Sequence, residues 1–220
     1  MDAKKKRRSR LWLLPVLTVL AGTLIGVAIG KYIKTEQYSG TLQFQADLAE
    51  DFRLLEHKAV RQPDGSYTLG SETVQKNEYI LIPGLDIPKD PHVVIENKTS
   101  IAAYLFVEVV DETANSAIGY SMRGDWLLLD GVIGKKDNGA VYVYAADGAN
   151  PTPLTRTVGT ITLYLLQNNE IKVSQKLLAS ETNDTLKFYA AMGEVNAVTD
   201  GTAIENAKEI YNSHISHIIG

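Results

Sequence analysis

Apolar and polar positions along this chain alternate with a period of two far more often than they recur at helical spacing. Residues 160–165 are the clearest case. Ile161, Leu163 and Leu165 fall on one face and Thr160, Thr162 and Tyr164 on the other, as in a half-buried strand. The same period runs through residues 41–46, where Leu42, Phe44 and Ala46 alternate with polar neighbours, and through 186–191, where Leu186, Phe188 and Ala190 share a face. Apolar runs at 93–95 and 104–110, joined by a polar turn at 96–100, predict a hairpin with a lead-in punctuated by Pro83, Pro88 and Pro91. Residues 120–122, 126–129 and 140–144 add short strands. Asp130-Gly131 and Asp137-Asn138-Gly139 lie between them and tolerate the positive φ of tight connections. Asn168-Asn169 predicts a turn that pairs 160–165 with 170–173 as a second hairpin, and PDGSY at 63–67 predicts another turn. Residues 48–60 mix charges with leucines and leave a short helix open.

Helical spacing is convincing only at the end. Thr202 and Glu205 have capping-box spacing, and Ile204, Ala207, Tyr211, Ile215 and Ile218 form one apolar stripe that needs a surface to cover it. Short strands at intervals of about 8–12 residues, with turn chemistry between them, indicate an all-β chain folded as an antiparallel β-sandwich. No parallel-sheet signature and no internal repeat is evident. The expected organisation is a leader at 1–30, a β-sandwich domain at 31–200 and a C-terminal α-helix at 201–220 packed on it.

The leader changes the picture most. Residues 11–30, LWLLPVLTVLAGTLIGVAIG, carry no charge and follow the basic MDAKKKRRSR. A basic head, an apolar stretch and a small-residue end make a secretory signal, with Ala28-Ile29-Gly30 meeting the small-x-small requirement for a cut before Lys31. The alternative is a retained membrane anchor, because an apolar stretch of this length spans a hydrocarbon core of about 30 Å. In both cases the basic end stays in the cytoplasm and the domain after Lys31 is outside.

Charge and composition narrow the function. The net charge is −4 over 220 residues, but the first ten hold six Lys/Arg, leaving 16 bases against 25 acids in the remainder, a net of −9 there. A folded part this acidic lacks the basic face that a nucleic-acid partner requires. With no cysteine there is no disulfide framework, thiolate metal site or cysteine nucleophile, while 45% hydrophobic residues supply a core.

Catalytic motifs are missing from the sequence. HExxH, a glycine-rich phosphate loop and a Gly-x-Ser-x-Gly elbow are all absent. His214 and His217 lie three apart and read as exposed tail histidines without a third ligand. The densest polar cluster, Asp86, Lys89 and Asp90 in GLDIPKD, reads as a turn whose carboxylates cap backbone amides and pair with Lys89. The sharper reading makes Asp86 and Asp90 oxygen ligands of a cation such as calcium. Asp125, Trp126, Tyr142 and Tyr144 fit core or cross-strand positions better than a sugar-binding surface.

The order of several pieces resembles the TasA/camelysin family of secreted Gram-positive proteins, exported through a SipW-type signal peptidase. The pieces are GTLIGVAIG closing the leader, SGTLQFQADL soon after it, LIPGLDIPKDPHVVIEN followed by AAYLFVEVV, then GDWLLLDG, AVYVYAADG and LKFYAAMGEVNA with AIENAKEIYN. Family members often read AYFTD after the leader, where this chain has GKYIKTE. The resemblance implies a jelly-roll-like β-sandwich and a structural subunit of extracellular biofilm-matrix fibres, located in the matrix or at the cell surface. It also implies donor-strand complementation, in which residues 31–42, with Tyr32, Ile33, Tyr38 and Leu42, fill a gap in the next subunit. An exposed strand edge is a template for another chain, and backbone hydrogen bonds supply affinity without side-chain chemistry. The expected partners are further copies of the chain, the signal peptidase and other matrix proteins, with the membrane met only through residues 11–30. The competing readings are a membrane-anchored surface binding module and a metal-dependent endopeptidase of camelysin type, which the missing zinc motif disfavours.

Overall fold

The computed structural model describes residues 31–41, 51–96, 101–113, 118–155, 159–175, 184–195 and 201–219. In chain order its strands begin with β1 (Lys31–Thr41), β2 (Asp51–Arg61), β3 (Tyr67–Val74), β4 (Lys76–Leu81), β5 (Ile87–Pro88) and β6 (His92–Glu96). They continue with β7 (Ala103–Asp111), β8 (Ile118–Gly119), β9 (Trp126–Leu128), β10 (Gly139–Tyr144), β11 (Ile161–Tyr164), β12 (Glu170–Val173) and β13 (Asp184–Glu194). A six-stranded sheet runs β4-β1-β13-β7-β10-β9, a four-stranded sheet β11-β6-β2-β3, and a small sheet β5-β12-β8. Pairing is antiparallel except between β1 and β13, which run parallel.

Strand β7 organises both cores. Ala103, Leu105, Val107 and Val109 point into a cluster shared with Leu54, Val93 and Ile95 of the four-stranded sheet and with Leu186, Phe188 and Met192 of β13. Tyr104 and Phe106 point the other way, into a second cluster built with Val141, Val143, Ala191 and the C-terminal helix. A strand covered on both faces has no polar side to show, so its sequence reads as a continuous apolar run.

The C-terminal element begins as α1 (Ala203–Ile210), continues through a π-helical turn (Tyr211–Ile215) and ends as α2 (Ser216–Ile219). Its capping box forms: Glu205 N donates to Thr202 Oγ1 at 3.2 Å and Thr202 N donates to Glu205 Oε2 at 2.7 Å. Ala207, Ile210, Tyr211, Ile215 and Ile219 are buried on the six-stranded sheet. A four-residue repeat drifts by about 40° per step around a helix of 3.6 residues per turn. The wider π turn absorbs that drift and keeps Ala207, Tyr211, Ile215 and Ile219 on one stripe. The side chain of Ile218 lies outside the described residues.

Several sequence expectations need correction. The runs at 93–95 and 104–110 do not pair: β6 joins β2 and β11, whereas β7 joins β13 and β10 in the other sheet. Both strands are apolar, and from their separate sheets Val93, Ile95, Leu105, Val107 and Val109 enter one buried cluster. Asn168 and Asn169 do turn the chain with φ of 57° and 53°. The strands on either side diverge, however, β11 to β6 and β12 to β5 and β8. Residues 51–61 form β2, a strand and not a helix. The turn at 63–67 forms around Gly65 at φ 89°, with Gly65 N donating to Gln62 O at 3.0 Å. Among the described residues no helix is long and apolar enough to cross a membrane, and the leader at 1–30 lies outside them.

Candidate functional site

The N-terminal strand occupies an unusual place. β1 is laid between β4 and β13, two strands far apart in sequence. It pairs antiparallel with β4 from Lys31↔Leu81 to Glu36↔Lys76 and parallel with β13 from Ile33↔Asp184 to Thr41↔Met192. Taken away, it would leave two long backbone edges facing one another, each with unpaired N–H and C=O groups. Of the proposed donor residues, Lys31, Tyr32, Ile33 and Tyr38 lie in β1; Leu42 and the cleavage residues Ala28 and Gly30 lie outside the described residues.

A buried charge cluster sits against the same two strands. Phe52, Leu54 and Glu56 alternate along β2 toward the core, so Glu56 takes an apolar position in the pattern and is fully buried. It is ion-paired with Lys89, also fully buried, whose Nζ lies 5.8 Å from the ring centroid of Tyr79 on β4 and 5.4 Å from that of Phe188 on β13. Burial pulls the Lys89 pKa down, opposed by the negative charges of Glu56 and Asp90. The Tyr79 hydroxyl is buried, and burial, then the charges of Glu56 and Asp90, push its pKa far up.

Next to this pair, Asp90 gathers two histidines. His57 N donates to Asp90 Oδ1 at 3.0 Å, and His57 Nδ1 donates to Asp90 Oδ2 at 2.5 Å. His92 Nδ1 donates to the Asp90 carbonyl at 2.8 Å, and the two imidazole centroids are 5.3 Å apart. Asp90 and His92 are buried and the His57 side chain is 30% exposed. The register of β2 against β3 shifts between His57 and Ala59. Asn77 of β4 satisfies the bulged backbone: its Nδ2 donates to His57 O at 2.9 Å, and its Oδ1 accepts from Ala59 N at 2.9 Å. Such a bulge re-aims a side chain, here His57.

No family model and no curated protein matches this chain.

The predicted cation ligands are not brought together. Asp86 lies on the surface and pairs with Lys172 at 3.2 Å, while Asp90 turns inward to the histidines. Lys89 pairs with neither aspartate but with Glu56 across the core, and the amide that Asp90 caps belongs to β2, not to its own turn. The residues able to hold a metal are His57, Asp90 and His92, which offer one ligand atom each within 4.8 Å of one another. His57 and His92 carry no linear motif. The available signal was the alternation of Phe52, Leu54 and Glu56, which marks residues 51–61 as a strand and places a charge on its inner face.

Elsewhere Trp126 is buried, donates from Nε1 to Tyr164 O at 2.9 Å and meets Tyr144 edge-on at 5.8 Å, which makes it a core residue. Its neighbour Asp125 pairs with Arg123 at 3.3 Å. His217 is exposed and His214 half-buried on the C-terminal helix.

Proposed function

We propose that this chain is an exported structural subunit of surface or matrix fibres, built on a jelly-roll-like β-sandwich and assembled by exchange of β1 between copies. The observation that carries the reading is the position of β1 between β4 and β13. The backbone ladder on both edges can be satisfied equally by the same strand of a neighbouring copy, because a register of main-chain bonds does not distinguish one copy from another. Cleavage before Lys31 frees one end of that strand, so it leaves and enters the slot without threading a loop through the fold. The parallel pairing with β13 fits the same picture: parallel neighbours cannot be joined by a tight hairpin, so no short connection ties β1 to that edge. Each exchange leaves an empty slot at one end and an unplaced strand at the other, a head-to-tail contact that propagates as a filament.

The chain contains no cysteine, so engineered cysteines report strand exchange without background. Lys34 and Glu78 face each other in the β1–β4 register, at the cross-strand spacing a disulfide spans. Exported protein carrying Lys34→Cys, mixed with protein carrying Glu78→Cys and oxidised, is expected to give disulfide-linked dimers of one chain of each kind, because each holds a single cysteine, within fibres visible by electron microscopy. If only the double variant closes, within single chains, and the mixture yields no intermolecular bond, the reading fails.

A further inference from the structure

We propose that His57, Asp90 and His92 form a binding site for a divalent transition cation of the zinc class, which pins β2 to the start of β6. The site is separate from strand exchange and stands or falls independently of it.

Four observations lead here. The chain has only four histidines, and two of them, distant in sequence, converge on a single carboxylate. The His92 ring is held from behind: it donates its Nδ1–H to the Asp90 carbonyl, which leaves Nε2 to face the ion. That is how imidazole ligands of metals are oriented. His57 is aimed by a bulge whose backbone is satisfied by a side chain from the facing sheet, so its placement does not rest on its own strand alone. The carboxylate is buried: Asp90 is 3% exposed and turns its Oδ2 to the His57 ring, so an anionic oxygen and an imidazole nitrogen already meet where water is scarce. A buried carboxylate is paired or binds a cation.

The donor set selects the ion. Two imidazole nitrogens and one carboxylate oxygen suit zinc and its neighbours, whereas calcium asks for six to eight oxygens. Tetrahedral coordination at about 2.0–2.1 Å places ligand atoms roughly 3.3 Å apart, so His57 Nδ1 and Asp90 Oδ2 open from 2.5 Å while the third ligand atom, within 4.8 Å of them, draws in. The His57 ring, 30% exposed, has room for that adjustment. In the bound state the cation replaces the proton between His57 Nδ1 and Asp90 Oδ2, and that proton passes to solvent. The third protein ligand is His92 Nε2, and water takes the fourth position on the exposed side.

The test removes the tail histidines first. In an H214Q/H217Q background the only imidazoles left are His57 and His92. Calorimetric titration with zinc is expected to give one ion per chain at micromolar Kd or tighter, with proton release that scales with buffer ionisation enthalpy. Cobalt should give visible d–d bands of tetrahedral intensity, and a hundredfold excess of calcium should not displace either ion. Adding His57→Gln should weaken zinc binding at least tenfold while the far-UV circular dichroism spectrum is preserved; His92→Gln should do the same where it folds. Absence of zinc binding in the H214Q/H217Q protein, or unchanged affinity in folded His57→Gln protein, overturns the proposal.

Discussion

Replacing Lys89 with methionine is the sharpest test of the buried charge cluster. Lys89 and Glu56 have no exposure to water, so deleting the ammonium alone takes the buried cation away from a carboxylate in the core. Breaking a buried pair from one side costs about 3–5 kcal/mol. Methionine has a similar length and lays a polarisable sulfur against Tyr79 and Phe188, so little of the loss comes from packing. For a domain of this size about 2–4 °C of melting temperature accompanies each kcal/mol, which puts the expected fall at about 6–20 °C. The companion variant, Glu56→Met with Lys89→Met, removes both charges and should recover to the parent's stability or exceed it by about 1–4 kcal/mol. Urea unfolding followed by circular dichroism measures all three proteins. A Lys89→Met loss below about 1 kcal/mol, or a double variant less stable than Lys89→Met, would refute the claim that removing the buried Lys89 charge opposite Glu56 sets the magnitude.

Two further outcomes follow from the six-stranded sheet and its helix. A Cβ at Gly139 would lie 2.8 Å from Lys136 O and collide with the Glu108 carboxylate, which accepts from Lys136 N and from the Tyr211 hydroxyl. Gly139→Ala should therefore cost about 1–3 kcal/mol in the same unfolding assay, and an unchanged midpoint would show that the β7–β10 pair can shift. At the start of α1 the backbone N–H of Thr202, then its hydroxyl, hold the Glu205 carboxyl below its ordinary pKa of 4.5. A depressed folded-state value means that the capping contribution is complete above 4.5 and is lost as pH falls through the folded-state pKa. Thermal melts of the parent and Glu205→Gln proteins should differ at neutral pH and converge on acidification; a gap that stays constant removes the carboxylate from the explanation.

Legibility in the sequence followed the range of the interactions concerned. Ile161 and Leu163 declared a strand, Asn138, Asn168 and Asn169 declared turns, and Thr202 with Glu205 declared a helix start, because each signal lies within a few residues. Asp90 was visible as part of a polar cluster, but its partners were not. His57 is 33 residues away, and the strand that carries it resembled a helix as much as a strand. Glu56 was obscured by the same ambiguity, since the alternation of Phe52, Leu54 and Glu56 that places it on an inner face competes with a helical reading of residues 48–60.

The amino-acid pattern alone indicated that the part after the leader is mainly β, that one amphipathic helix follows the strands and that this part is acidic. Periodicity, turn chemistry and charge are local or summed quantities, and no pairing partner is needed to read them. Sheet membership was decided only in three dimensions. Two apolar runs separated by a short turn are compatible with one hairpin or with membership of two sheets, and the structure, with β7 buried on both faces, has the second. The same holds for β1 between β4 and β13 and for the two histidines around Asp90. Both arrangements join segments far apart in the chain, and hydrophobic burial, which is non-directional, brings such segments together without leaving a linear trace.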